Sequence, residues 1–321
     1  MSGVGLVLGG GGITGAAFHF GALLAIEAAT GWNPNDADVI IGTSSGAFVG
    51  ALVRSDRLDM EAFVGDVDDP DELTAHWRHY VYRKCRPRGV GRWLRRGVMP
   101  GLRRPDLTLG LGSPARFTTE GMADWVEDML GDAAEGWPAR PLVILAYDLE
   151  KRRRTPFGTD AAPDVPLKLA VAASTAVPVV FEPVPIDGRW YVDGGVASGT
   201  SADLLLAHPE PLDLIIVLAP LAASESRPHA RFYEDAFDRV GRLALDGELA
   251  LIQETWPHTD VLVLRPDERV LEAARPNPMA VDALVPVFLR TLRSLNDELA
   301  RPDTWKLLHR HLATDRAVES H

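Results

Sequence analysis

Apolar residues in this chain fall into short unbroken runs, and these alternate with longer stretches that carry an apolar face. VGLVLG (Val4–Gly9) predicts a strand buried on both faces. ITGAAFHFGALLAIEAA, residues 13–29, predicts a helix that is apolar nearly all round and therefore buried. ADVIIGTSSGAFVGALVR repeats the plan, with a strand over Val39–Ile41, a tight turn, and a helix to about Arg54. Strand, glycine turn and helix twice in succession predict parallel βα units and a sheet covered on both faces. Further core strands are expected at Pro141–Leu149, in RWYVDGG (Arg189–Gly195), at Leu212–Pro220 and at Val261–Pro266. LKLAVAAS starts a short helix at Leu167 that Pro178 stops. Phe232, Ala236, Val240 and Leu243 recur at helical spacing, as do Leu284, Phe288, Leu292, Leu295 and Leu299, and both sets read as core-facing stripes.

The order of these elements predicts one α/β domain over residues 1–321, a three-layer α/β/α sandwich with a mainly parallel central sheet. Residues 66–140 interrupt the rhythm. They are charged, rich in proline and poor in strand patterns, and they read as a mostly helical insertion or lid. Residues 221–321 are expected to complete the domain.

Composition narrows the picture. A hydrophobic content of 46% over 321 residues is ample for a packed core. A net charge of −12 argues against general binding to nucleic acid. The single cysteine, Cys85, cannot form an intrachain disulfide, and no Cys/His cluster has metal spacing, so a reducing, cytoplasmic compartment and no metal are expected. Residues 1–26 carry no Asp, Glu, Lys or Arg. They lack the basic start of a signal peptide, and their glycine run breaks any spanning helix, so a buried strand-turn-helix is the reading. From Arg78 to Arg104 there are ten Lys or Arg and no carboxylate, with Trp77, Tyr80, Tyr82 and Trp93 in or beside the run. That stretch suits either peripheral contact with an anionic membrane surface or a solvated segment paired with the acidic remainder.

Three short motifs carry the chemistry. Gly9–Gly12 puts four glycines directly after a strand, which bares the backbone to a phosphate or an oxyanion. Gly10, Gly12 and Gly15 also satisfy G-x-G-x-x-G, the dinucleotide fingerprint, but no acid ends the second strand, where that reading needs one. What stands there is GTSSG, a G-x-S-x-G spanning Gly42 to Gly46 around Ser44. Between a strand and an apolar helix it reads as a turn that exposes a nucleophilic hydroxyl, or as an ordinary helix-capping turn. A serine needs a base. None of the late histidines, His208, His229, His258, His309 and His311, sits in a glycine turn after a strong strand. Asp193 does end a strand and is followed by Gly194 and Gly195, either as a carboxylate at a strand's carboxyl end or as an Asp-Gly hairpin turn.

GGGGITG, GTSSG and DGG in this order, with ASTAVPVVFEPV leading to YVDGG, resemble the patatin-like phospholipases over roughly residues 4–205. The resemblance implies a patatin-like fold and a Ser44–Asp193 dyad that works without histidine. It also implies an oxyanion hole of backbone amides from Gly10, Gly11 and Gly12 with Ser45, and a nucleophile turn shaped by Gly42 and Gly46. The implied activity is acyl hydrolysis of phospholipids and neutral or galacto-lipids through an acyl-enzyme, with no cofactor. Two departures stand out: Thr14 occupies a position that is usually Arg or Lys in the family, and VASGTS follows the aspartate turn where Asn and Pro are common. The first leaves a catalytically silent relative as the alternative, with a dinucleotide-binding oxidoreductase behind it. Head group, chain length and oligomeric state are not expressed in the sequence.

Overall fold

Val4–Leu8 forms strand β1, buried at every position. It leads through the glycines into helix α1, Gly12–Thr30, which ends on Gly31 in the left-handed conformation that glycine tolerates best. Strand β2, Val39–Thr43, and helix α2, Ser45–Arg54, repeat the unit. Helices α3 (Pro70–Val81) and α4 (Glu120–Leu130) follow, then strands β3 (Leu142–Asp148) and β4 (Arg153–Phe157). Helix α5 (Leu167–Ser174) precedes strands β5 (Val184–Ile186), β6 (Arg189–Asp193) and β7 (Leu214–Leu218). Helix α6 (Phe232–Thr255), strand β8 (Asp260–Leu264) and helix α7 (Leu284–Leu299) come last among the elements used below. The computed structural model describes residues 2–58, 69–86, 89–95, 108–223, 232–275 and 277–312.

The eight strands form one mixed sheet in the order β5-β6-β3-β2-β1-β7-β8, with β4 paired to β3. Strands β3, β2, β1, β7 and β8 run parallel, while β4 and β6 run antiparallel to β3. Side chains alternate across the pleat and divide the core into two layers. Leu6, Leu8 and Ile40 face the layer of α1, α2 and α7, whereas Val7, Ile41 and Val217 face Leu245 and Ile252 of α6. The three-layer α/β/α architecture is thus present. Helix α1 is long and apolar enough to cross a membrane, yet 72% of it is buried, packed on α7 and α2, so its apolar character has a core explanation.

Two short strands, β4 and β5, were not signalled by apolar runs, because both lie toward the edge of the sheet and need little apolar surface. The stripe of α7 packs as expected, with Leu284, Phe288, Leu295 and Leu299 buried and Leu292 packed against them. The stripe of α6 does not. Val240 and Leu243 are 65% and 66% exposed, and the helix buries Leu245, Glu248 and Ile252 instead. The side chains of Phe232 and Ala236 lie outside the described residues, as do Arg88, Arg96, Arg103, Arg104 and His229. The described parts of 66–140 contain α3, α4 and the short helices Val90–Trp93 and Thr108–Leu111.

A polar device decides the face of α6. Glu248 is buried and accepts hydrogen bonds from the hydroxyls of Ser198 and Thr200 (2.6 Å for Thr200) and from the amide of Ala202 (2.8 Å). A buried carboxylate is tolerable only when its oxygens are satisfied in this way. The three donors all belong to the loop after β6, and the carbonyl of Gly199 in that loop accepts from the amide of Gly10 at 2.7 Å. Replacing Glu248 by Gln removes an acceptor and introduces a donor into a site of donors. Urea unfolding of Glu248→Gln should show a loss of about 2–4 kcal/mol. A loss under about 0.5 kcal/mol would contradict the clamp.

Candidate active site

The sheet brings two distant segments together along one edge of β3. Strand β4 occupies one edge of β3 over Ile144–Asp148. The other edge is shared: β2 pairs along its first half and β6, running the opposite way, along its second. The ends of β2 and β6 therefore meet head to head. Thr43 lies opposite Leu145 and Asp193 opposite Ala146, which are consecutive positions. Ser44 is the next residue after Thr43, so the topology delivers it to Asp193 across about 150 residues of chain.

Where the two strands abut, neither can continue the ladder. Ser174, wholly buried at the end of α5, fills the gap. Its hydroxyl donates to the Leu145 carbonyl at 2.6 Å and accepts from the Ser44 amide at 2.9 Å. It thereby extends the β2–β3 hydrogen bonding by one link through a side chain. Sequence reasoning missed this residue, and the available signal was its place in the ASTAVP stretch before the aspartate turn.

Ser44 itself sits at φ 55°, ψ −119°, outside the regions a serine prefers, as the cap between β2 and α2. Such a conformation costs on the order of 1–3 kcal/mol and persists only where the surroundings impose it. Here the imposing contacts are backbone to backbone. A Cβ on Gly46 would lie 1.9 Å from the Leu8 carbonyl oxygen, and one on Gly42 would lie 2.6 Å from that of Gly46. Both glycines of G-x-S-x-G are thus required for α2 to pack down on β1 and turn the serine upward. The amino end of α2 opens at the same point and favours negative charge there.

Asp193 is held from both sides. Its own amide donates to the Ala176 carbonyl at 2.9 Å, and its Oδ1 accepts from the Gly195 amide at 2.7 Å. The Ser44 side chain lies close enough to pull the same carboxyl toward its ionised form. Gly194 is needed because a Cβ there would lie 2.5 Å from the Leu145 carbonyl oxygen. Burial pushes the carboxyl up to about 6, against the opposing pull of the Ser44 side chain and the Gly195 amide.

The glycine turn lies beside the serine. Gly12 has φ +62°, and a Cβ on Gly10 would come within 3.4 Å of the Ser44 Cβ. Of the three amides expected to face an oxyanion, that of Gly10 is committed elsewhere, to Gly199, which is a correction to the sequence reading. The carbonyl of a glycine in the loop after Asp193 has claimed it. The amides of Gly11 and Gly12 have no backbone partner among the described residues. Ser45, the first residue of α2, lines the same pocket with a buried hydroxyl that has no partner among the described residues. Thr14 turns away: its amide donates to Pro278, its hydroxyl lies against the Gly11 carbonyl, and its side chain borders a different cavity with Pro220 and Val270.

A histidine does support the site, but an early one. His19 of α1 is fully buried, and its Nε2–H donates to the Gly9 carbonyl at 2.6 Å. Burial lowers its basicity to about 4, so the ring stays neutral and acts as a strut under the glycine turn. Of the late histidines, His208 bonds the Glu210 carbonyl and His311 bonds Asp260, at the opposite end of the parallel strands. The pocket over Ser44 is apolar, walled by Phe48, Trp77, Val81, Met122, Phe181 and Met279. Pro278 and Met279 also press on Gly12, where a Cβ would be 2.7 Å from the Pro278 carbonyl oxygen, so the turn has no open cradle for a pyrophosphate. In the basic run, Arg78, Arg83 and Arg92 pair with Asp282, Asp124 and Glu150, and Arg92 lies over the Trp190 ring.

Comparison with known proteins finds relatives for the chain. The family model described as patatin-like phospholipase matches residues 6–206. An uncharacterised NTE-family protein of Mycobacterium tuberculosis is 29% identical over 212 residues, covering 64% of this chain and 48% of that one. The chain spans about half the length of the curated relatives it matches. A protein named as a probable lipid hydrolase, from Invertebrate iridescent virus 6, is 24% identical over 67 residues, covering 21% of this chain and 23% of its own. Among solved structures, VipD from Legionella pneumophila aligns with 97% of this chain and 67% of its own, at 13% identity and a TM-score of 0.39.

The raised carboxyl of Asp193 has a stability consequence with a definite sign. A carboxyl whose folded value lies above its unfolded value stabilises the fold in acid, and that contribution is lost as pH rises through about 6. Above that point the fold carries the cost of an ionised buried group. Asp193→Asn removes the cost, so its Tm should exceed that of the wild type by about 2–5 °C at pH 8, with the gap closing toward pH 5. A lower Tm for the variant at pH 8 would contradict the assignment.

Proposed function

The chain belongs to the patatin-like phospholipase family, and on that premise we propose that it is a lipid acyl hydrolase, a serine carboxylic-ester hydrolase of the phospholipase A, lysophospholipase or carboxylesterase type. The observation that carries this reading is the buried carboxyl of Asp193 set beside Ser44 where β2 and β6 end against each other on β3. A hydroxyl becomes a useful nucleophile when a positioned base takes its proton.

Ser44 Oγ attacks the ester carbonyl carbon while its proton passes to the Asp193 carboxylate. The amides of Gly11 and Gly12, with that of Ser45 at the start of α2, hold the negative oxygen of the tetrahedral intermediate. Its collapse breaks the bond to the alcohol, which leaves with the proton from Asp193, and the acyl group remains on Ser44. Asp193 then takes a proton from water, the resulting hydroxide attacks the acyl-enzyme, and a second collapse returns the proton to Ser44 and frees the carboxylic acid. The neutral, buried His19 has no proton-transfer role in this scheme, and no cofactor or metal is called for. Thr14 does not weaken the scheme, because its side chain lies outside the Ser44 pocket and the proposed donors are backbone amides.

The apolar walls of the pocket favour an acyl group over a polar one. Contact with an anionic membrane surface through the 78–104 run belongs to the same proposal. Arg95, exposed beside the paired Arg92, is one described cation of the run on which to test it, by charge reversal and liposome binding.

Activity on chromogenic acyl esters should depend on both members of the dyad. Ser44→Ala and Asp193→Asn should each lower kcat by about 10³-fold or more while remaining folded. The wild-type rate should rise with pH through about 6, as the Asp193 carboxyl loses its proton. A folded Ser44→Ala variant with near wild-type turnover would overturn the mechanism.

A further inference from the structure

Trp77 of α3 borders two cavities. One is the pocket over Ser44, a narrow space of about 40 Å³ in which Trp77 is joined by Phe48, Val81 and Met122. The other lies behind it, about 280 Å³ between α3 and the start of α7, lined by Leu73, Thr74, Val281 and Val285. The enclosed room beside Ser44 is thus the smaller of the two, and the larger room lies on the far side of one indole.

That indole is fixed. Trp77 is only 2% exposed and meets Trp125 edge to face at 4.4 Å and 87°. Trp125 in turn packs on Phe48 at 4.7 Å and stacks on Tyr80 at 5.2 Å. Next to it, Arg78 pairs with Asp282 at 2.8 Å and ties α3 to the segment that walls the second cavity. A side chain gripped in this way is a wall with a set position rather than a mobile gate.

We propose that Trp77 sets the acyl-chain limit of the Ser44 site, and that the cavity between α3 and α7 is a second, alkyl-binding compartment that the indole closes off. The inference rests on the acyl-hydrolase reading for its substrate, but the two cavities and the wall between them do not. In the wild type the acyl group is short. Shortening the wall joins the compartments, and a longer chain then buries its end against Leu73, Val281 and Val285 in place of water.

The test compares wild type, Trp77→Leu and the double variant Trp77→Leu/Val285→Trp, each first checked for a cooperative melt. Val285→Trp fills the second compartment from the α7 side, so it separates joining of the cavities from general loosening. Two readouts are taken: kcat/KM on butyrate, octanoate and laurate esters of nitrophenol, and calorimetric affinity of the corresponding free fatty acids in a Ser44→Ala background. Trp77→Leu should raise the laurate-to-butyrate ratio at least about tenfold in both readouts, a size expected for a few newly buried methylenes. The double variant should return the ratio toward wild type. An unchanged ratio in Trp77→Leu, or a raised ratio that persists in the double variant, would overturn the proposal. If no ester is turned over but fatty-acid affinity shifts as expected, the compartment stands and the hydrolase reading falls. Should Trp77→Leu fail to fold, Trp77→Phe is measured in its place, with a smaller shift in the same direction required.

Discussion

The structure depends on one edge of one strand. Because β4 occupies the far side of β3, both β2 and β6 must share the near side, and they can do so only by ending where they meet. That abutment places the residue after β2 beside the last residue of β6. Chain reversals at both ends follow from it, and so does the demand for glycine. Gly42 and Gly46 let β2 turn into α2, and Gly194 lets the chain leave β6 against the Leu145 carbonyl. The abutment also leaves a hole in the hydrogen-bond ladder, and Ser174 closes it. The proposed dyad is thus less a pair of side chains on a surface than the point at which two strands terminate against each other.

Holding that point costs free energy in several places. Ser44 is kept at a positive φ, and Asp193 is kept in a site where ionisation is opposed by burial. The stabilising side consists of tightly packed apolar layers and satisfied polar groups. His19 props the Gly9 carbonyl from below, and Glu248 gathers Ser198, Thr200 and Ala202 from the opposite layer. The Glu248 clamp reaches the site through Gly199, whose carbonyl fixes the Gly10 amide. One chain of contacts therefore runs from α6, through the loop after Asp193, to the glycine turn. It spans the sheet and couples both halves of the proposed oxyanion and proton-transfer machinery to a single frame.

Much of this was legible in the residues. The buried strands β1, β2, β3, β7 and β8 announce themselves as apolar runs, and the glycine and serine turns mark the carboxyl ends of two of them. What stayed hidden follows a physical rule. Strands β4 and β5 are short and lie toward the sheet edge, so they lack the continuous apolar signature of a buried strand. The face of α6 was misjudged because the buried one, with Leu245 and Ile252, also carries Glu248 and looked polar. A buried carboxylate is invisible to a hydrophobic pattern until its donors are known. Ser174, His19 and the committed Gly10 amide belong to the same class. Each is defined by a hydrogen bond to a backbone atom distant in sequence or across a turn, which residue type does not encode. Conversely, Thr14, the departure most prominent in the sequence, has its side chain on another cavity.

The central claim is that Ser44 is a nucleophile activated by Asp193 in this fold. The most direct measurement is covalent labelling of the folded chain with an alkyl fluorophosphonate, which loses fluoride as a serine oxygen bonds to phosphorus, followed by peptide mass spectrometry. The account predicts a single adduct on Ser44, slowed by about 10³-fold in Asp193→Asn and absent in Ser44→Ala. No adduct in the folded wild type, or an adduct on another serine such as Ser45, would contradict it.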